Sequence, residues 1–287
     1  MQETIQLRTF APMPGIKKEK IRVAILDLNE GHPNQGIRCI REILTAYAHH
    51  NHIPLEYDHF DVRLLKQVPK LEYDIYISSG GPGSPLESEG TEWEKIYFEW
   101  IQDLVDYNNN LANLDKKNVL FICHSFQLAC RFFEVGQVSK RKSTSFGVFP
   151  IHVMKEGKNE PVFQGLKETF YAVDSRDYQV IEPRQEQLER IGGTILAIEK
   201  ERPHIPLKRA VMAIRFNEYM LGTQFHPEAD PTGMSMYLLR VDKKNMVIDI
   251  HGIAKWQSMI EQLNDPDKIK WTYAHVIPNF LDQALSD

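Results

Sequence analysis

Cys123 stands where the apolar run Val119-Leu120-Phe121-Ile122 stops and a helical pattern begins at His124-Ser125-Phe126-Gln127. A side chain at such a strand-to-helix turn is pushed out of the sheet into the crevice above the carboxyl ends of the strands, where α/β proteins bind ligands. The helix aims its free amide groups and the positive end of its dipole at the sulfur, which favours thiolate over thiol. Taken alone, a strand-end cysteine is more often a core residue than a catalyst. A second segment adds what a sulfur nucleophile needs: Leu221-Gly222-Thr223-Gln224-Phe225-His226-Pro227-Glu228 reads as a strand ending in a histidine, with a carboxylate two residues on. Side chains so spaced on extended backbone project to the same side. His226 could take the thiol proton and return it to a leaving amine, while Glu228 holds the imidazole in one tautomer.

The elements that would position these groups follow from apolar periodicity. Residues 1–20, with Pro12, Pro14, Gly15 and Lys17-Lys18-Glu19-Lys20, read as an unpatterned leader before a strand at Arg22 to Leu28. Pro33-Asn34 opens a helix to about Ala48, with Ile37, Ile40, Ile43 and Leu44 on one face. Strands follow near Leu55 to Phe60 and Tyr73 to Ser78, the latter ending in Gly80-Gly81-Pro82-Gly83-Ser84-Pro85, and a helix near Glu92 to Asn108 leads to the strand that carries Cys123. Alternation of this kind predicts a mostly parallel sheet with helices on both faces, a flavodoxin-like α/β fold. After Phe133 the expectation is short, antiparallel β additions at 147–153, 168–173, 193–199, 211–216 and 219–224, with a tight hairpin turn at Asn217-Glu218. Residues 231–287 read as a C-terminal helical extension that could cap the domain or form a homodimer face.

The glycine-rich turn Gly80 to Pro85, the segment Cys123-His124-Ser125-Phe126-Gln127 and the segment Gly222 to Glu228 together resemble, in order, the three signature segments of class I glutamine amidotransferases. The resemblance covers residues 21–230 and is nearest to a stand-alone glutaminase domain of the GMP synthase type. It implies a catalytic triad of Cys123, His226 and Glu228, an oxyanion hole built from the backbone amides of Gly81 and His124, and a glutamine pocket shaped in part by Gln127. The Gly80-Gly81 turn agrees physically, since main chain without a Cβ can approach a ligand and donate to a tetrahedral intermediate. The implied chemistry is attack of the Cys123 thiolate on the side-chain amide of glutamine, with a γ-glutamyl thioester that water then hydrolyses. The family usually carries glycine where this chain has Phe121 and Ser125. Ser125 is small, but Phe121 is bulky, so the elbow must be relieved by small neighbours or be distorted. Arg176, in Val173 to Val180, stands where the family often has a histidine-containing loop, and it could meet a substrate carboxylate.

Composition limits the alternatives. At 287 residues, 42% of them hydrophobic, the chain can bury a substantial core. No apolar run reaches the roughly 20 residues that span a bilayer, and the N-terminus lacks the pattern of a secretory signal, so the cytoplasm is the expected compartment. A net charge of −5 with scattered Lys and Arg gives no general attraction to nucleic acid or an anionic membrane. Three cysteines, an odd number widely spaced, argue for free thiols, with Cys39 and Cys130 in the core. His49, His50, His52 and His59 lack a Cys or acidic partner at ligand spacing, so a polar helix end is expected rather than zinc. The Gly80 turn lacks the lysine of a nucleotide phosphate loop. Neither a cofactor nor a metal is expected. With no synthetase motif in the chain, ammonia would pass to a separate acceptor subunit. Hydrolysis of γ-glutamyl amides or peptides by a stand-alone enzyme is the alternative, and a catalytically degenerate ligand- or partner-binding module is a second.

Overall fold

The computed structural model describes residues 20–32, 34–204, 206–263, 265 and 268–286. Residues 1–19 of the expected leader and Pro33 lie outside the described residues. The first half alternates as the periodicity predicts: β1 (Ile21–Asp27), α1 (Gln35–Asn51), β2 (Leu55–Asp61), β3 (Ile75–Ser78), α2 (Glu92–Asn109), β4 (Asn118–Ile122) and α3 (His124–Phe132). Asn34 starts α1 by accepting the Gly36 amide on its side chain, and His52, in the left-handed conformation, ends it. His49 and His50 thus lie in the last turn of α1, and His59 sits on β2, 3.0 Å from Asp27.

The second half is β5 (Gln137–Val153), β6 (Thr169–Ile181), α4 (Gln185–Ile191), β7 (Thr194–Glu199), β8 (Val211–Asn217) and β9 (Met220–Thr223), followed by α5 (Pro231–Leu239), α6 (Val241–His251), α7 (Ile253–Leu263) and α8 (Ile269–Ser286). The nine strands among the described residues form one sheet, in the order β2-β1-β3-β4-β9-β8-β7-β5-β6. The run from β2 to β9 is parallel, and β8, β7, β5 and β6 continue it antiparallel.

The period of two sorts the central strands between two cores. Val23, Ile25, Ile75, Ile77, Leu120 and Ile122 face α1 and α8, whereas Ala24, Leu26, Tyr76, Val119 and Phe121 face α2 and α3. Both faces of the sheet are therefore covered by helices.

Three local features depart from the sequence reading. β5 and β6 are much longer than expected, pairing from Gln137↔Ile181 to His152↔Thr169 with an irregularity between Lys140 and Ser145. Their polar stretches carry no alternation, and the strands are held there by partner contacts such as Ser145 Oγ on Asp174 at 2.7 Å. α4 had no expectation. The hairpin turn falls on Glu218-Tyr219 rather than Asn217-Glu218, because Asn217 stays in β8 and accepts the Tyr219 amide on its own side chain at 3.0 Å, an Asx turn.

The C-terminal helices divide their work. Met234 and Leu238 of α5, Val247 of α6 and Met259 and Leu263 of α7 form a third cluster with Val148 and Val173 of the β5–β6 arm. α8 instead returns to the first core with Tyr273, Val276, Ile277, Phe280 and Leu281. Pro278 lies inside α8, and the Asn279 amide beside it donates to Val162 O and Gln164 O at 3.1 and 2.9 Å, tying the helix to the loop before β6. No helix among the described residues is long and apolar enough to cross a membrane.

Candidate active site

Five buried residues of β4 end at a sharp elbow, where Cys123 takes φ 52° and ψ −98°. A positive φ at a residue with a Cβ is strained and persists only where its surroundings over-determine it. Here they do: Cys123 N–H donates to Thr223 O on β9 at 2.7 Å, and Cys123 O accepts from Gln127 N at 3.0 Å, which starts α3.

The two departures from glycine around the elbow are both accommodated. Phe121 sits in register between Ser78 on β3 and Gly222 on β9, small residues on each side. Its ring meets Phe216 edge-on at 6.0 Å between centroids, inside the second core. A Cβ added at Gly222 would fall 2.5 Å from the Phe126 ring and 2.8 Å from that of Phe216, so the absent side chain is the space the aromatic cluster uses. Ser125 adds bonds that glycine would lack: its Oγ accepts from Ile122 N at 2.8 Å and lies 2.7 Å from Ser78 O, linking the ends of β3 and β4.

His226 and Cys123 converge over the glycine turn, since a Cβ on Gly80 would lie 2.9 Å from His226 Cε1 and 3.4 Å from Cys123 Cβ. His226 Nδ1 is 2.8 Å from Glu228 Oε1, which leaves Nε2 for the sulfur. Burial by itself would lower the imidazole pKa; the Glu228 carboxylate and the Cys123 sulfur overcome it and hold His226 well above its usual range. The site therefore favours the imidazolium form of His226. Main chain fixes the ring as well, with His226 N–H donating to Val173 O on β6 at 2.8 Å.

Glu228 is placed through its neighbours. Asp230 accepts the Gly233 amide as the N-cap of α5, at 2.7 Å, and pairs with Arg38 of α1 at the same distance. Segment 226–230 is thus pinned to two helices. A Cβ at Gly36 would lie 3.0 Å from Glu228 Oε1, so this carboxylate packs against the first turn of α1.

Gly81 packs so closely on Leu28 that a Cβ would meet its carbonyl oxygen at 2.2 Å. Arg63 secures the same turn, donating to Pro82 O at 2.6 Å and Leu28 O at 3.2 Å. The His124 side chain is buried beside it; burial first, then the Arg63 and Arg131 guanidiniums, push its pKa down to about 3, so it stays neutral.

Gln127 and Arg176 both have their polar groups engaged within the protein. The Gln127 side chain is buried and donates to Tyr178 O at 3.1 Å and to Gln224 Oε1 at 3.0 Å. Arg176 is buried too, its Nε on both Asp174 oxygens at 2.8 and 3.0 Å, and its Nη2 3.6 Å from Glu199. Asp174 and Glu199 compete for the charge that a substrate carboxylate would need. Sequence reasoning passed over Gln224, whose Nε2 lies 3.7 Å from Cys123 Sγ. Its signal was available: Gln224 precedes His226 by one period of an extended chain. Nothing local in the sequence marked Arg38, Asp230 or Arg63, which act across the fold.

All three cysteines are free and buried. Burial raises the thiol pKa of Cys130 far above its ordinary value. Among the described residues no group of three or more His, Cys, Asp or Glu side chains could hold a metal ion.

Solved structures of low sequence identity share this fold. A glutamine amidotransferase from Thermotoga maritima aligns with a TM-score of 0.65 at 14% identity, covering 93% of this chain and 99% of its own. A glutamine amidotransferase from Methylobacillus flagellatus gives 0.58 at 13%, covering 92% and 95%. The glutaminase domain of Trypanosoma brucei CTPS with bound acivicin gives 0.55 at 13%, covering 92% and 93%. Comparison with curated proteins gives no match. Similarity at these identities speaks for the fold alone, but residues 38–245 also match, as sequence, the family described as glutamine amidotransferase class-I. That stretch runs from the Arg38 clamp past the three signature segments into α6, and on its strength the chain belongs to the class-I glutamine amidotransferase family.

Proposed function

We propose that this protein hydrolyses the side-chain amide of glutamine through a thioester on Cys123, giving glutamate and ammonia for a separate acceptor subunit. The observation that carries the reading is the strained elbow at Cys123 facing an imidazole whose far nitrogen is 2.8 Å from a buried carboxylate. In this reading the thiolate attacks the amide carbon, and the developing oxyanion takes hydrogen bonds from the Gly81 and His124 amides. The His226 imidazolium gives its proton to departing ammonia, then as neutral imidazole takes one from the water that opens the thioester. Glu228 keeps the tautomer and balances the imidazolium. Gln127 contributes to the pocket from beneath, through Gln224, rather than by a free amide, and the paired Arg176 supports the strand that lies over the sulfur.

Glutamate release from glutamine by the purified protein, compared with Cys123→Ala, tests the proposal. Release by the parent and loss of at least a thousandfold in the variant is expected, since the nucleophile acts as a unit with its base. The same assay with γ-glutamyl dipeptides separates the alternatives: release from dipeptides alone assigns a γ-glutamyl hydrolase, and no Cys123-dependent release from either substrate sinks both.

A further inference from the structure

Cys123 Sγ is almost enclosed, with 5% of the residue exposed. Two polar groups other than His226 touch it. Ser175 O on β6 lies 3.7 Å away, where a thiol can donate but a thiolate is repelled. Gln224 Nε2 lies at the same distance and can only donate. The orientation of the Gln224 amide follows from what holds its other end. Gln127 offers its NH2 to the carbonyl Tyr178 O, an obligate acceptor, and the same NH2 reaches Gln224 Oε1. With the oxygen of Gln224 so engaged, its NH2 must face the sulfur. Gln224 is 0% exposed, and its main chain is fixed by Gln224 N–H donating to Met212 O at 2.8 Å.

We propose that Gln127 and Gln224 form a fixed two-amide relay that presents a hydrogen-bond donor to the Cys123 thiolate from the side of the β sheet, countering the Ser175 carbonyl. Gln224 touches the reacting atom, and Gln127 is a positioning residue that acts through it. The inference rests on Cys123 being the nucleophile. The other charged groups around the sulfur are accounted for: His226 with Glu228 behind it faces the sulfur, Arg176 and Asp174 on β6 pair with each other, and His124 on α3 is buried and neutral.

The test is the pH dependence of Cys123 alkylation by iodoacetamide, located by mass spectrometry to separate it from the buried Cys39 and Cys130. Gln224→Met keeps the length of the side chain and removes the donor, so the alkylation midpoint should rise by about one pH unit. Gln127→Met leaves the sulfur untouched but frees the Gln224 amide to turn its oxygen inward, so the midpoint should rise by a smaller step. Loss of packing alone would not move a thiol titration in this ordered way. An unchanged midpoint in either variant, with circular dichroism and melting like the parent, overturns the relay. Failure of the relay is distinguishable from failure of the proposed hydrolysis. Ordered shifts in a protein without turnover keep the relay and remove the activity, and turnover with unmoved midpoints removes the relay alone.

Discussion

His124 and His226 are both buried, yet the fold drives them in opposite directions. His226 gains an acid partner, so its pKa in the folded protein is raised, and the stability it contributes is fully present below about pH 6.5 and lost as pH rises through the folded value. His124 gains only burial and two guanidinium neighbours, and its pKa falls to about 3. The unfolded chain then binds the extra proton first. Stability should fall as pH drops from about 6.5 toward 3, by up to roughly 1.4 kcal/mol per pH unit from this group. His124→Phe should flatten that acid limb, as read from urea midpoints at pH 7, 5 and 4 against the parent. An acid slope equal to that of the parent would remove His124 as its source. The meeting of Cys123, His226 and Glu228 at one place could be expected from sequence because each lies in a short segment with a local pattern. Gln127 and Arg176 were legible as polar groups near the site, and Asp174 lies only two residues from Arg176 on β6, but Tyr178 beside Gln127 and Glu199 beside Arg176 come together only when the fold is assembled.

At the scale of elements, α1 does more than cover the sheet. Arg38 links its first turn to Asp230, two residues beyond Glu228, and Asp230 also caps α5. Arg38→Ala should leave the fold intact and loosen segment 226–230. The expected result is kcat lowered about tenfold, equivalent to about 1.4 kcal/mol of lost positioning, with KM little changed and partial recovery in Arg38→Lys. A fall confined to KM would place Arg38 at the substrate instead. The parallel half was readable because β1, β3 and β4 are nearly continuous apolar runs and α1 and α2 are strongly periodic. β5 and β6 were not, because their polar stretches gain strand geometry from each other and from long-range contacts such as Arg141 with Glu199. Phe121 shows the same limit: its bulk is visible in sequence, but the relief supplied by Ser78 and Gly222 appears only once the strands are in register.

For the whole molecule, the helices after residue 230 are integral to packing. α8 places Phe280, 1% exposed, in the core shared with α1 and the central strands, and Tyr47 of α1 donates to Asp282 at 2.6 Å. Phe280→Ala should cost about 3–5 kcal/mol in urea unfolding. A loss below about 1 kcal/mol, the size of a surface change, would mean α8 is an appendage. The return of α8 also bears on synthesis. The part of the first core that Tyr273, Val276, Ile277, Phe280 and Leu281 fill stays open until those residues have left the ribosome, so a nascent chain can pair every strand before that core is closed.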